Sequence, residues 1–101
     1  MKVSFLNAAE REALKAAFWY DEQQAGLGSE FLAEVDQACK AIANDPERYG
    51  IVEMPRSKRE VRCFLLQRFP YAVYFEIRLD EILILAVAHT SRRPFYWKRR
   101  K

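Results

Sequence analysis

Apolar and polar residues follow three rhythms along this 101-residue chain, and each predicts a different kind of element. Residues 2–6 alternate Lys, Val, Ser, Phe and Leu, which places Val3 and Phe5 on one face of a short strand. From Ala8 to about Gln24 the rhythm becomes helical, with Ala13, Leu14, Ala17, Phe18 and Tyr20 as the apolar stripe. Asn7 stands where the N-cap of that helix belongs, and Glu10 where a capping-box acid does. Gly26-Leu27-Gly28 ends it, because Gly26 can take the left-handed conformation that closes a helix. Ser29 is placed to cap a second helix, whose Phe31, Val35, Ala38 and Ile42 recur at i, i+4, i+7 and i+11 before it closes near Asn44-Asp45-Pro46. Two helices joined by so short a turn predict an antiparallel hairpin that needs a flat partner for its apolar stripes.

The second half of the chain supplies that partner. After an irregular stretch from Pro46 to Lys58, residues Glu60 to Arg68 are rich in strand formers, Pro70 interrupts them, and Tyr71 to Arg78 resumes. Leu79-Asp80-Glu81 reads as a tight turn. Ile82 to His89 is then almost wholly apolar, the pattern of a central strand buried on both faces, and equally that of a short buried helix. The predicted class is α+β, in a single domain spanning 1–101. An N-terminal strand is followed by an antiparallel two-helix hairpin on one face of a mainly antiparallel four-stranded sheet, and a short basic tail ends the chain.

Composition narrows the function. No apolar run approaches the roughly 20 residues of a bilayer span, and the N-terminus turns polar too early for a secretory leader, so a cytoplasmic protein with no membrane association is expected. The two cysteines, Cys39 and Cys63, have neither CxxC nor metal-ligand spacing, and free thiols are expected. With three glycines and no phosphate-cradling loop sequence, nucleotide binding of the usual kinds is excluded; no cofactor and no metal are expected. Charge is polarised. Residues 1–55 hold five basic against ten acidic side chains, a net of −5, whereas residues 56–101 hold twelve against four, a net of +8. Such a field concentrates polyanions and acidic proteins.

Candidate chemistry collects near predicted strand ends. Arg62 lies in the second strand with Lys58 and Arg59 before it, and His89 ends the fourth with Arg92, Arg93, Tyr96, Trp97, Lys98, Arg99 and Arg100 beyond. Metal-free RNA cleavage needs a base for the 2'-hydroxyl proton, an acid for the leaving oxygen and fixed cations at the phosphate. His89 and Tyr96 can supply the first two, Arg62 and Arg92 the third, while Lys58, Arg59, Arg93, Lys98, Arg99 and Arg100 can hold the backbone. Trp97 or Tyr96 can stack a base. Each has a plainer use: His89 bonded to backbone, Arg62 paired with Glu76 or Glu60, and Phe95, Tyr96 and Trp97 folded against the sheet. Trp19 and Tyr20 read as core or hairpin contacts.

In order, Trp19-Tyr20, Gly26-Leu27-Gly28 with Phe31, Asn44-Asp45-Pro46, Arg62 before Arg68-Phe69-Pro70-Tyr71, and Ala86-Val87-Ala88-His89 with Arg92, Arg93, Pro94, Tyr96 and Trp97 resemble the RelE/ParE toxin superfamily of plasmid-stabilisation proteins. The resemblance runs nearly end to end. It implies the toxin of a type II toxin-antitoxin system, with two N-terminal helices on an antiparallel sheet. It also implies growth arrest and assembly into a hetero-oligomer with a cognate antitoxin bearing an acidic segment. RelE-like members cleave messenger RNA on the ribosome and ParE-like members poison DNA gyrase. The expected activity is ribosome-associated mRNA cleavage through Arg62, His89, Arg92 and Tyr96, with non-enzymatic gyrase inhibition as the alternative.

Overall fold

In a computed structural model describing residues 1–101, the chain folds in the order β1 (Lys2–Phe5), α1 (Asn7–Gln23), α2 (Leu27–Asn44), a 3-10 turn (Pro46–Arg48), β2 (Arg62–Leu65), β3 (Tyr71–Ile77) and β4 (Glu81–His89). The sheet order is β1-β4-β3-β2. The three C-terminal strands are antiparallel, and β1 runs parallel to β4, from Lys2 opposite Glu81 to Phe5 opposite Ile84. The expected α+β fold is thus present. So is the central strand buried on both faces: residues 82–88 are all buried.

The helix hairpin packs on one face of the sheet. Its core joins Ala9, Ala13, Ala16 and Ala17 of α1 and Phe31, Val35, Ala38 and Ile42 of α2 to Val73, Phe75, Ile82, Ile84 and Val87. The stripe of α1 agrees with the predicted one only in part. Ala13 and Ala17 are buried as expected, but Leu14 and Phe18 are exposed, and Ala9 and Ala16 are buried instead. The helices approach closely where they meet: a Cβ added at Gly28 would lie 2.2 Å from the Ala17 carbonyl oxygen, so only glycine fits at that position.

Helix termini also depart from the expected caps. Leu6, not Asn7, occupies the N-cap of α1, its N–H bonded to the Ile84 carbonyl as the last link of the β1–β4 ladder; leucine has no polar side-chain atom, so no side chain caps the helix. Gly26 is left-handed at φ 89°, as expected, but α2 starts before Ser29. Asp21 of α1 does the capping across the hairpin, accepting the Gly28 N–H at 2.7 Å. At the far edge, β2 is shorter than the predicted 60–68 because the Gln67 and Arg68 N–H groups turn to the Glu34 carboxylate of α2, at 2.8 and 3.1 Å.

The other face of the sheet is covered by the C-terminal tail. A register irregularity at Tyr74/Phe75 breaks the alternation of β4, so Leu85 and Ala86 join Leu83 and Val61 beneath Trp97. Trp97 is buried, its ring 4.5 Å from that of Tyr74. Phe95, left-handed at φ 60°, makes the turn that sends the tail back across the sheet. No helix is long and apolar enough to cross a membrane, and both cysteines are free.

Candidate functional site

The site grows from a break in the sheet. β1 stops opposite Ile84, so β4 continues from Leu85 to His89 without a strand on that side. Backbone groups left on such an edge need partners. Two side chains from distant parts of the chain provide them. Glu12 of α1 accepts the Val87 N–H at 3.0 Å, and Arg100 donates to the Leu85 carbonyl at 3.0 Å. The two are also an ion pair, at 2.8 Å, both mostly buried. The Tyr96 hydroxyl donates to the other Glu12 oxygen. Burial and that bond to a carboxylate push the Tyr96 phenol well above its ordinary pKa. Arg92 lies over the Tyr96 ring, 3.9 Å from its centroid.

His89 and Arg92 share a cavity of about 560 Å³ between α1 and the end of β4, with Glu12, Lys15, Trp19 and Tyr71. The His89 ring packs edge-on against Tyr71, with centroids 5.2 Å apart. Its Nδ1 accepts the Ser91 backbone N–H at 3.0 Å and lies 2.8 Å from the Ser91 hydroxyl. A backbone amide cannot reverse its role, so in the neutral ring Nδ1 is the acceptor and Nε2 carries the hydrogen. The Tyr71 phenol is raised mainly by burial, with Arg92 opposing. Trp19 was expected in the core or the hairpin contact, yet it stays 55% exposed, while Tyr20 does pack against Phe31, Phe69 and Tyr71.

The other candidate residues scatter. Arg62 is opposite Phe75, which is opposite Ile84, so it lies five positions from His89 along the strands, roughly 17 Å, and two strands across. Its guanidinium instead donates to the carbonyls of Tyr49 at 2.7 Å and Glu47 at 3.1 Å, holding the loop after α2. Its expected partners Glu76 and Glu60 are not taken up. Glu76 is claimed by Arg59 and Arg78. Burial opposes the ionised Glu76 carboxyl, but the two guanidinium groups outweigh it and hold the pKa below the ordinary value. Arg59 also donates to the carbonyls of Lys98 and Arg100, which clamps the tail. Arg59 and Arg100, both read as backbone contacts for nucleic acid, therefore spend their donors inside the fold. Lys58, Arg93, Lys98 and Arg99 remain exposed, and Arg93, Lys98 and Arg99 line a second cavity of about 460 Å³ beside Tyr96. No cluster of His, Cys, Asp and Glu has the geometry of a metal site.

Glu12 was the residue sequence reasoning missed. Its partners stand 75 to 88 positions away, and on α1 it is one exposed-looking acid among several.

The family model for the ParE toxin of the type II toxin-antitoxin system parDE matches residues 3–94. This chain belongs to that family. The ParE match takes in both helices, β2 to β4, all but the first residue of β1, and His89 and Arg92 of the cavity, and stops just short of Tyr96 in the tail. No curated protein matches the toxin. Among solved structures, a chain of the chromosomal ParDE TA system from P. aeruginosa superposes with a TM-score of 0.69 at 17% identity, covering 88% of this toxin and 95% of that chain. At that identity the likeness establishes the fold.

Proposed function

We propose that this ParE-family toxin arrests growth in the cytoplasm by binding and inhibiting DNA gyrase, without chemistry of its own, and that a cognate antitoxin neutralises it. One observation carries the choice between the two activities expected of the superfamily. The groups that metal-free RNA cleavage would need are not assembled: Arg62 is bonded elsewhere, the Tyr96 hydroxyl is committed to Glu12, and His89 keeps its ring acceptor turned to Ser91. A base must offer a free lone pair and an acid a proton directed at the substrate, whereas the His89 Nδ1 lone pair is taken up by Ser91 and the Tyr96 O–H by Glu12.

For the antitoxin, what supports the reading is the surface opposite the tail. The free edge of β1 borders an apolar groove of about 480 Å³ between it and the helices, and the exposed Leu14 lines its rim. An acidic amphipathic segment can bury apolar side chains there and place its charges toward the basic half of the chain. The product is a toxin-antitoxin hetero-oligomer.

A supercoiling assay with purified gyrase tests the main reading. Supercoiling stops as toxin is added, and His89→Ala and Tyr96→Phe inhibit as well as the native chain. Unimpaired supercoiling at saturating toxin overturns the proposal. If primer extension on messages from expressing cells then reveals new 5' ends that vanish in Arg92→Ala, ribosome-associated mRNA cleavage takes its place. That second reading rests on His89 and Arg92 sharing one cavity. For the antitoxin, Leu14→Asp weakens the complex formed on co-expression with a small reading frame found beside the toxin gene and able to relieve its growth arrest; full retention in a pull-down removes the groove from the interface.

A further inference from the structure

The cavity between α1 and the end of β4 combines basic and aromatic side chains. Its lining includes two exposed cations, Lys15 and Arg92, together with the aromatic rings of Trp19, Tyr71 and His89. Its one carboxylate, Glu12, is engaged by Arg100, by Tyr96 and by the Val87 N–H, so an entering anion meets no free negative charge. His89 is oriented by Ser91 at Nδ1, which leaves Nε2–H as the ring's remaining donor. Trp19 is 55% exposed, its ring supported edge-on by Tyr20 at 5.2 Å. An aromatic face held in water beside two cations and an imidazole N–H matches a planar ring joined to a phosphate. The cavity's volume of about 560 Å³ is that of a small-molecule pocket and accommodates one nucleotide.

We propose that this cavity binds a nucleoside monophosphate unit, its phosphate held by Arg92, Lys15 and the His89 Nε2–H and its base laid on Trp19. The unit can be a free nucleotide or one residue of a single strand. Neither source alters the contacts.

Heteronuclear NMR on the full chain, with AMP as probe, tests this directly because the two indole N–H signals report separately. AMP shifts the Trp19 indole and leaves that of the buried Trp97 in place. Adenosine and inorganic phosphate each bind about tenfold more weakly than AMP, since each keeps only half of the contacts. Arg92→Ala and Lys15→Ala weaken AMP several-fold without altering adenosine, and Trp19→Ala weakens AMP about tenfold without altering phosphate. An oligonucleotide such as dT6 or rU6 separates the sources: tighter binding than AMP assigns the site to single strands, weaker binding to free nucleotides. The proposal is overturned if AMP leaves the Trp19 signal unmoved, if adenosine binds as tightly as AMP, or if Arg92→Ala binds AMP like the native chain. Such a failure leaves the gyrase proposal standing, because inhibition of supercoiling by the native chain is a separate readout from AMP binding.

Discussion

The two faces of the sheet are covered in different ways. On the helix face, fifteen buried residues form one continuous apolar cluster, and no ion pair is needed within it. On the tail face only Val61, Leu83, Leu85, Ala86 and Trp97 are buried together, and the segment that covers them carries Lys98, Arg99, Arg100 and Lys101. So small an apolar patch gives limited stabilisation against the entropy of ordering a chain end. Carboxylates close the gap: Glu76 through Arg59, and Glu12 through Arg100 and Tyr96. One face is held by burial and the other by ionic clamps around a single tryptophan, so they should fail under different insults.

The largest effect is expected on the helix face. Phe31→Ala empties a fully buried position touching Tyr20, Phe69 and Tyr71, and should destabilise the fold by about 3–5 kcal/mol in urea denaturation. Both tryptophans should then report one shared transition; a tail that survives the loss of the helices would break the comparison. Glu76→Gln comes next, at about 2 kcal/mol, because it leaves Arg59 and Arg78 without their carboxylate. In a Trp19→Phe background the emission of Trp97 should shift to the red while helical circular dichroism persists. Glu12→Gln should cost about 1–2 kcal/mol and release Arg100 and Tyr96, measured as faster hydrogen exchange at Val87. Unchanged protection there would mean that Glu12 does not secure the open edge.

Acid should sharpen the contrast with the smallest perturbation. The folded Glu76 carboxyl titrates below its ordinary 4.5, so its contribution is complete above that pH and is lost as the pH falls through the lower folded value. Trp97 fluorescence should therefore change below pH 4.5 before the helices melt. If both signals move together, the clamp is not what distinguishes the tail face.

Much of the fold was legible because its periodicities are local. The α2 stripe of Phe31, Val35, Ala38 and Ile42 is buried as its spacing predicts, and the apolar run of β4 is the central strand. The stripe of α1 was legible only in part, because large apolar residues dominate a hydrophobic pattern: Ala13 and Ala17 are buried as predicted, whereas Leu14 and Phe18 stay outside and the small Ala9 and Ala16 are buried. The candidate site divided in the same manner. His89 and Arg92 are three residues apart and share the cavity, but Arg62 was assigned to them from its residue type, and strand register places it at the far end of the sheet.

By itself the sequence determined which segments become helices and strands, which chain half is basic, and, through the order of its motifs, the family. These are properties of neighbouring residues or of summed charge, and they need no knowledge of what folds onto what. Only the tertiary structure decided which charges remain available. A guanidinium looks the same in the sequence whether it faces solvent or a carboxylate 17 or 88 positions away, and that pairing turns Arg59 and Arg100 into clamps while Arg92, without a carboxylate partner, stays exposed at the cavity.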